Sequence, residues 1–298
     1  YDGGTGTAFD FSEHVGGVLS TADGMQGVTD TDYDGDGDID VLAANRGGDF
    51  AIINNDGSGV FTQVTPASIG ITDGAGDGIT TADVDNDGDL DLLLASDGSA
   101  HLYIRNAGAY TRTQSFNDTE GYMGGFADLD NDRDLDLVFA GDERVFLNDG
   151  TGSFTSGPSV PVSGIDDPRA IAFADIEGDG DMDFAIAAKD SRNWLVRNNI
   201  NADAGNWLRV ELVSPQCQAG AFGAKVFVRP AGDAVTLLGL REARGNAGYL
   251  GQDDPVLHFG LGAEASVDVT VTWVDGTQAS ATAQAANQRI LIDACPAP

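Results

Sequence analysis

The sequence is poor in positive charge. Lysine occurs only at Lys189 and Lys225, and 15 Lys and Arg residues face 48 Asp and Glu, a formal net charge of −33 over 298 residues. A chain this negative repels nucleic acid and anionic lipid, so neither is expected as a partner. Histidine is scarce too. His14, His101 and His258 are the full complement, and none stands in a ligand or catalytic motif. GxSxG, HExxH and phosphate-loop patterns are absent, so no enzyme is expected. A glycosidase, which needs only two free carboxylates across a cleft, leaves no such mark. No apolar run is long enough to span a membrane. No signal peptide is visible at Tyr1, as expected of a secreted chain after processing. There are only two cysteines, Cys217 and Cys295, both in the last third. They fit one disulfide in an extracellular setting, the alternative being two buried thiols.

What is abundant points to β-structure. The apolar fraction of 41% is enough for a packed core, and 41 glycines with many aspartates favour tight turns and short strands over long helices. Four acidic segments recur: DYDGDGDID from Asp32, DVDNDGDLD from Asp83, DLDNDRDLD from Asp128 and DIEGDGDMD from Asp175, with first residues 51, 45 and 47 positions apart. The last three follow short apolar-rich stretches (78–82, 124–127, 170–174). All four precede an apolar run, then a second one (50–55, 101–106, 144–149, 193–198). A Gly-rich turn and a further strand come next, as in 54–64 and 147–157. Four strands over 40–50 residues mark a propeller blade. The fourth repeat lacks its last strand, and residues 2–12 (DGGTGTAFDFS) resemble that strand in the other repeats. The expected fold is therefore all-β: a four-bladed β-propeller over 1–200, closed by the N-terminal strand. The same strand can instead come from a neighbouring molecule and link protomers.

Each acidic segment reads D-x-D/E-x-D-x-D-x-D. Carboxylates at positions 1, 3 and 5, a backbone carbonyl at position 7 and a carboxylate at position 9 supply hard oxygen ligands in the number calcium takes. The candidate ligands are Asp32, Asp34, Asp36, Asp38 and Asp40; Asp83, Asp85, Asp87, Asp89 and Asp91; Asp128, Asp130, Asp132, Asp134 and Asp136; and Asp175, Glu177, Asp179, Asp181 and Asp183. These are 20 of the 48 acids, and such crowding is strongly repulsive without cations, so up to four structural Ca2+ ions are expected. An EF-hand is excluded: position 12 is Ala43, Leu94, Phe139 or Ile186, and the flanks are strand-like. No Cys or His lies in the loops, which argues against zinc. Arg133 at position 6 of the third loop and Glu177 at position 3 of the fourth depart from the pattern. The third loop is expected to bind calcium most weakly, to be checked by calorimetry.

Residues 201–205 read as a linker, and 206–298 as a small antiparallel β-sandwich. In NWLRVELV, Leu208, Val210 and Leu212 alternate with Arg209 and Glu211, and 267–273 alternates throughout. Further strands are expected within 223–230, 235–243, 256–260 and 289–293. Asn117-Asp118-Thr119 is a glycosylation triplet, making Asn117 a candidate acceptor.

The acidic loops with their flanking strands resemble FG-GAP/VCBS-type repeats, the family of integrin α-chain propellers and many bacterial surface proteins. That resemblance implies structural calcium in each loop between the first two strands of a blade. NWL (206–208), GAKVFV (223–228), REARGNAGYLGQ (241–252), LHFGLG (257–262) and VTWVDG (271–276) resemble, in order, the ASPIC/UnbV domain. That domain follows such repeats in the cartilage acidic protein family. The expected function is a non-enzymatic, secreted, calcium-binding structural or adhesive protein that assembles with itself or bridges surface or matrix glycans. A calcium-dependent lectin-like module is the alternative, and a glycan-processing enzyme a more remote one.

Overall fold

A computed structural model describes residues 25–295 apart from 47, 49, 75, 97, 118–122, 143, 200–204, 218 and 247–249. The N-terminal segment 2–12, most of the 201–205 linker, and the second and third residues of the glycosylation triplet lie outside the described residues. Asn117 itself ends a strand, exposed.

The repeats fold as four separate antiparallel sheets, each a simple meander. Sheet one holds β1 (Met25–Thr31), β2 (Asp40–Asn45), β3 (Ala51–Asn55) and β4 (Phe61–Val64). Sheet two holds β5 (Gly78–Ala82), β6 (Asp91–Ser96), β7 (Ser99–Asn106) and β8 (Ala109–Asn117). Sheet three holds β9 (Gly124–Ala127), β10 (Asp136–Phe139), β11 (Arg144–Asn148) and β12 (Phe154–Ser159). Sheet four has three described strands, β13 (Pro168–Ala174), β14 (Asp183–Ala188) and β15 (Trp194–Val196). Among the described residues β15 is its edge strand, with no fourth strand beside it.

The second strands of sheets two and three are apolar on both faces because each of these sheets is packed between two neighbours. In β6, Leu92 and Leu94 join a core with Leu42, Ile52 and Ile79, between sheets one and two. Leu93 and Ala95 point the other way, into a core with Leu137, Phe139 and Phe154 of sheet three. Val138 faces Ile171, Phe173 and Ile186 of sheet four in a third core. The first strands of successive sheets touch: β1 with β5, β5 with β9, β9 with β13.

The tail forms two sheets over one core. The first has the order β19–β16–β22 and the second β18–β17–β20–β21. The strands are β16 (Asn206–Val213), β17 (Lys225–Pro230), β18 (Gly239–Glu242), β19 (Leu257–Gly262), β20 (Ser266–Thr272), β21 (Gln278–Ala285) and β22 (Gln288–Asp293). Leu208, Val210, Leu212, Val226, Val228, Phe259, Val269 and Val271 fill the space between the sheets. The expectation of a purely antiparallel sandwich is corrected at one place. β16 and β22 pair in parallel, from Leu208↔Gln288 to Val213↔Asp293. A parallel pair needs a long crossover, and the entire second sheet lies in the chain between these two strands.

Parallel pairing also explains the disulfide. It brings the C-terminal ends of β16 and β22 side by side. Cys217 and Cys295, 78 residues apart in sequence, stand just beyond them and are joined, with Cα atoms 4.7 Å apart. Among the described residues no helix is long and apolar enough to cross a membrane.

Candidate metal centre

Each acidic segment is a tight loop between the first and second strands of its sheet, entered and left in one register. Thr31 pairs with Asp40, Ala82 with Asp91, Ala127 with Asp136 and Ala174 with Asp183. The ninth-position acid is thus the first residue of the returning strand in all four.

The loop curls around its first carboxylate. The position-6 N–H donates to Oδ2 of position 1 every time: Gly37 to Asp32 at 2.9 Å, Gly88 to Asp83 at 3.2 Å, Arg133 to Asp128 at 2.9 Å and Gly180 to Asp175 at 3.0 Å. This curl needs a left-handed residue at position 6, where φ is 99°, 94°, 97° and 95°. Glycine takes that conformation freely, whereas Arg133 does so under strain. Its side chain turns outward, with Nε donating to the Asp132 carbonyl at 3.0 Å.

The ninth carboxylate is a staple as well as a candidate ligand. Asp91 accepts from Val84 N and Arg105 N, Asp136 from Leu129 N and Asn148 N, and Asp183 from Ile176 N and Asn198 N. In the first loop Asp40 accepts from Asn55 N through Oδ1, and among the described residues its buried Oδ2 has no hydrogen bond.

Three loops bring three carboxylates together, one oxygen from each within 4.8 Å of the others: Asp32, Asp34 and Asp36; Asp83, Asp85 and Asp91; Asp128, Asp130 and Asp132. Asp128 Oδ1 and Asp130 Oδ1 are buried with no hydrogen-bond partner. An all-oxygen set with orphaned buried carboxylate oxygens fits a hard divalent cation such as calcium. The fourth loop is built differently. Glu177 reaches out to an ion pair with Arg197, and the loop's carboxylates do not form such a group among the described residues. The longer Glu arm that distinguishes this loop in sequence is thus turned away from the other acids. The weakest site is expected at loop four rather than loop three.

The loops are also laced to one another. Arg105, from sheet two, pairs with Asp89 of loop two at 2.5 Å and donates to the Asp34 carbonyl of loop one at 2.5 Å. Asn86 of loop two donates to Asp134 of loop three at 3.1 Å, and Asn131 of loop three to the Gly180 carbonyl of loop four at 3.1 Å.

Burial raises the pKa of these carboxylates, helped by their acidic neighbours. Asp40, Asp83 and Asp128 stand at about 7, and Asp91 and Asp136 at about 8. For Asp83 and Asp128 the Arg241 charge partly offsets the rise. A carboxyl whose folded pKa lies above its unfolded value binds more protons in the folded state. Its contribution is full below the unfolded pKa, about 3.9, and is lost as pH rises through the folded value. In EGTA the protein is therefore expected to melt at a lower temperature at pH 8 than at pH 5. Millimolar calcium, which favours the ionised ligands, should remove or reverse that slope. Thermal unfolding at both pH values with and without calcium checks this.

The tail lies against the loops. Lys225 Nζ is 2.6 Å from Asp32 Oδ2, and Glu242 accepts from Thr31 Oγ1 at 2.7 Å and Asp32 N at 2.9 Å. Arg209 Nη1 meets Asp175 Oδ2 at 3.1 Å, and His258 Nε2 lies 3.1 Å from the Gly180 carbonyl. Burial lowers the His258 pKa to about 3, so it is neutral and Nε2 carries the proton it donates. A Cβ at Gly180 would fall 2.0 Å from Trp207 Nε1, and one at Gly260 would fall 1.9 Å from Asp128 Oδ2. Alternation in β16 identifies Arg209 as outward-facing, but outward there means toward loop four, and Arg209 is buried. His101 is different. It lies on β7, with Nδ1 3.0 Å from Ser115 Oγ.

A family model described as FG-GAP-like repeat matches residues 32–94, 83–139 and 128–186, and one described as ASPIC and UnbV matches 214–297. The chain is 27% identical over 270 residues to Cartilage acidic protein 1 of Mus musculus, covering 81% of this chain and 40% of that protein. It is 29% identical over 272 residues to the Xenopus tropicalis protein of the same name, covering 80% and 40%. It is 37% identical over 111 residues to the human one, covering 36% and 16%. The chain thus spans about 40% of the length of the first two relatives. Among solved structures, the V. cholerae biofilm matrix protein Bap1 aligns at a TM-score of 0.38 and 13% identity, over 87% of this chain and 48% of that one. With three overlapping repeat matches running from 32 to 186 and the second domain behind them, the chain belongs to the FG-GAP-like repeat family and carries an ASPIC/UnbV domain after its repeats.

Proposed function

We propose that this chain is an extracellular structural protein whose repeats form a four-bladed propeller stabilised by calcium in its acidic loops. One observation carries the reading: four loops share one register and one carboxylate-centred curl, and three of them bring three carboxylates together. Asp32, Asp34 and Asp36, Asp83, Asp85 and Asp91, and Asp128, Asp130 and Asp132 would hold the ions. The calcium would neutralise charge that the fold otherwise buries. The disulfide and the similarity to Cartilage acidic protein 1 support an extracellular setting. No step in this reading is catalytic.

Self-assembly is part of the proposal. The outer strand of sheet four, β15, is only Trp194–Val196 long and exposes Leu195. Such an edge accepts another strand. Residues 2–12, which share their sequence pattern with 56–64 and 149–157 at the outer strands of sheets one and three, are the proposed occupant, from the same chain or a neighbour. Negative-stain electron microscopy in millimolar calcium and in EGTA tests this. Fibres or regular oligomers that need calcium are expected. Compact single particles in both buffers would remove self-assembly and leave a binding module.

A further inference from the structure

The first carboxylates of the four loops, Asp32, Asp83, Asp128 and Asp175, are nearly inaccessible, each at most 6% exposed. A buried carboxylate without a counter-charge is costly. The counter-charges here come from the tail, not from the repeats. Lys225 pairs with Asp32 at 2.6 Å. Arg209 pairs with Asp175 at 3.1 Å and with the tail's own Asp254 at 2.7 Å. The charge of Arg241 acts on both Asp83 and Asp128. One tail cation therefore addresses each end loop, and one serves the two middle loops.

We propose that the ASPIC/UnbV domain sets the calcium affinity of the loops it covers, with Lys225 acting as a built-in counter-ion on the first carboxylate of loop one. This rests on the reading that the loops bind calcium. The tail cation and the metal share the same carboxylate environment, and each lowers the other's gain. An ammonium about 5 Å from a divalent ion opposes its binding by on the order of tenfold, even at the dielectric of water. Coupling is reciprocal, so a missing tail cation costs most where no metal replaces its charge. The tail then keeps the loops folded when calcium is scarce and holds their affinity down to the concentrations found outside cells.

The test uses the full chain with Lys225→Met, which keeps the apolar stem, and Lys225→Arg, which keeps the charge. Calcium chloride is titrated by calorimetry, and thermal unfolding is followed in EGTA and in calcium. In K225M one site is expected to tighten on the order of tenfold while the others hold. Its loss of melting temperature should be large in EGTA and small in calcium, and K225R should behave as the unmodified chain does. Unchanged or weaker calcium binding in K225M, or an equal loss in both buffers, overturns the proposal. An unmodified chain that binds no calcium overturns the underlying reading as well, which separates the two failures. Lys225→Gln is read in the same way and decides the matter if K225M does not fold in either buffer.

Discussion

Stripping calcium from the full chain with excess EGTA is expected to lower its melting temperature by roughly 8–16 °C. Extracellular calcium-binding modules have dissociation constants near 0.1 mM or above. At about 1 mM free calcium, a site of that affinity adds roughly 1.4 kcal/mol, and the three carboxylate sets together add about 4 kcal/mol. A chain of this size loses about 2–4 °C per kcal/mol. The expectation has a structural basis in the buried ligand sets. Asp128 and Asp130 each keep a buried oxygen without a hydrogen bond, and Asp40 keeps another. Without metal these groups must take up protons or repel one another. Scanning calorimetry in calcium and in EGTA at pH 7.5 measures the difference. Superimposable curves would show that the loops are acidic turns and nothing more.

Removing the disulfide should cost a comparable amount by a different route. In the chain-entropy account, opening a loop of about 80 residues releases roughly 4–5 kcal/mol of denatured-state entropy. The bridge ties the ends of β16 and β22, the parallel pair at the centre of the β19–β16–β22 sheet's connectivity. The double substitution Cys217→Ala, Cys295→Ala is therefore expected to lower the melting temperature by roughly 10 °C or more. Dithiothreitol should bring the unmodified chain to the same value and leave the variant where it is. A variant that melts with the unmodified chain would mean that the pairing in β16 and β22 already restrains this segment when unfolded.

Much of this architecture is legible in the residues. β5 (Gly78–Ala82), β9 (Gly124–Ala127) and β16 (Asn206–Val213) fall on the stretches that their apolar patterns mark, and the nine-residue acidic period places all four loops. Two strands escape. β1, MQGVTDT, carries a register shift between Met25 and Val28 and buries Thr29 and Thr31, so its inward face does not look apolar. β21, QASATAQA, alternates alanine with polar residues, too small a contrast to register as a buried face. The tail's contact with the loops has no local signature at all. Lys225 and Arg209 look like ordinary charges on the polar sides of strands, because period-two alternation reports two faces without saying whether the second meets water or another domain. The parallel pairing of β16 with β22 is hidden for a similar reason. Strand patterns reveal direction only through connection lengths, and here an entire sheet intervenes.

The lacing of the loops by Arg105, Asn86 and Asn131 turns four separate loops into a row with nearest-neighbour links. Such a row obeys the statistics of a one-dimensional lattice, in which the state of each unit depends on the units beside it. Loops two and three each have two linked neighbours, and loops one and four have one apiece. Order imposed at an inner site is passed both ways, while order at an end is passed one way only. If its loops bind calcium as proposed, a protein built so would fill and empty them over a narrower span of ion concentration than independent sites of equal strength, and the row would begin to fray from the ends.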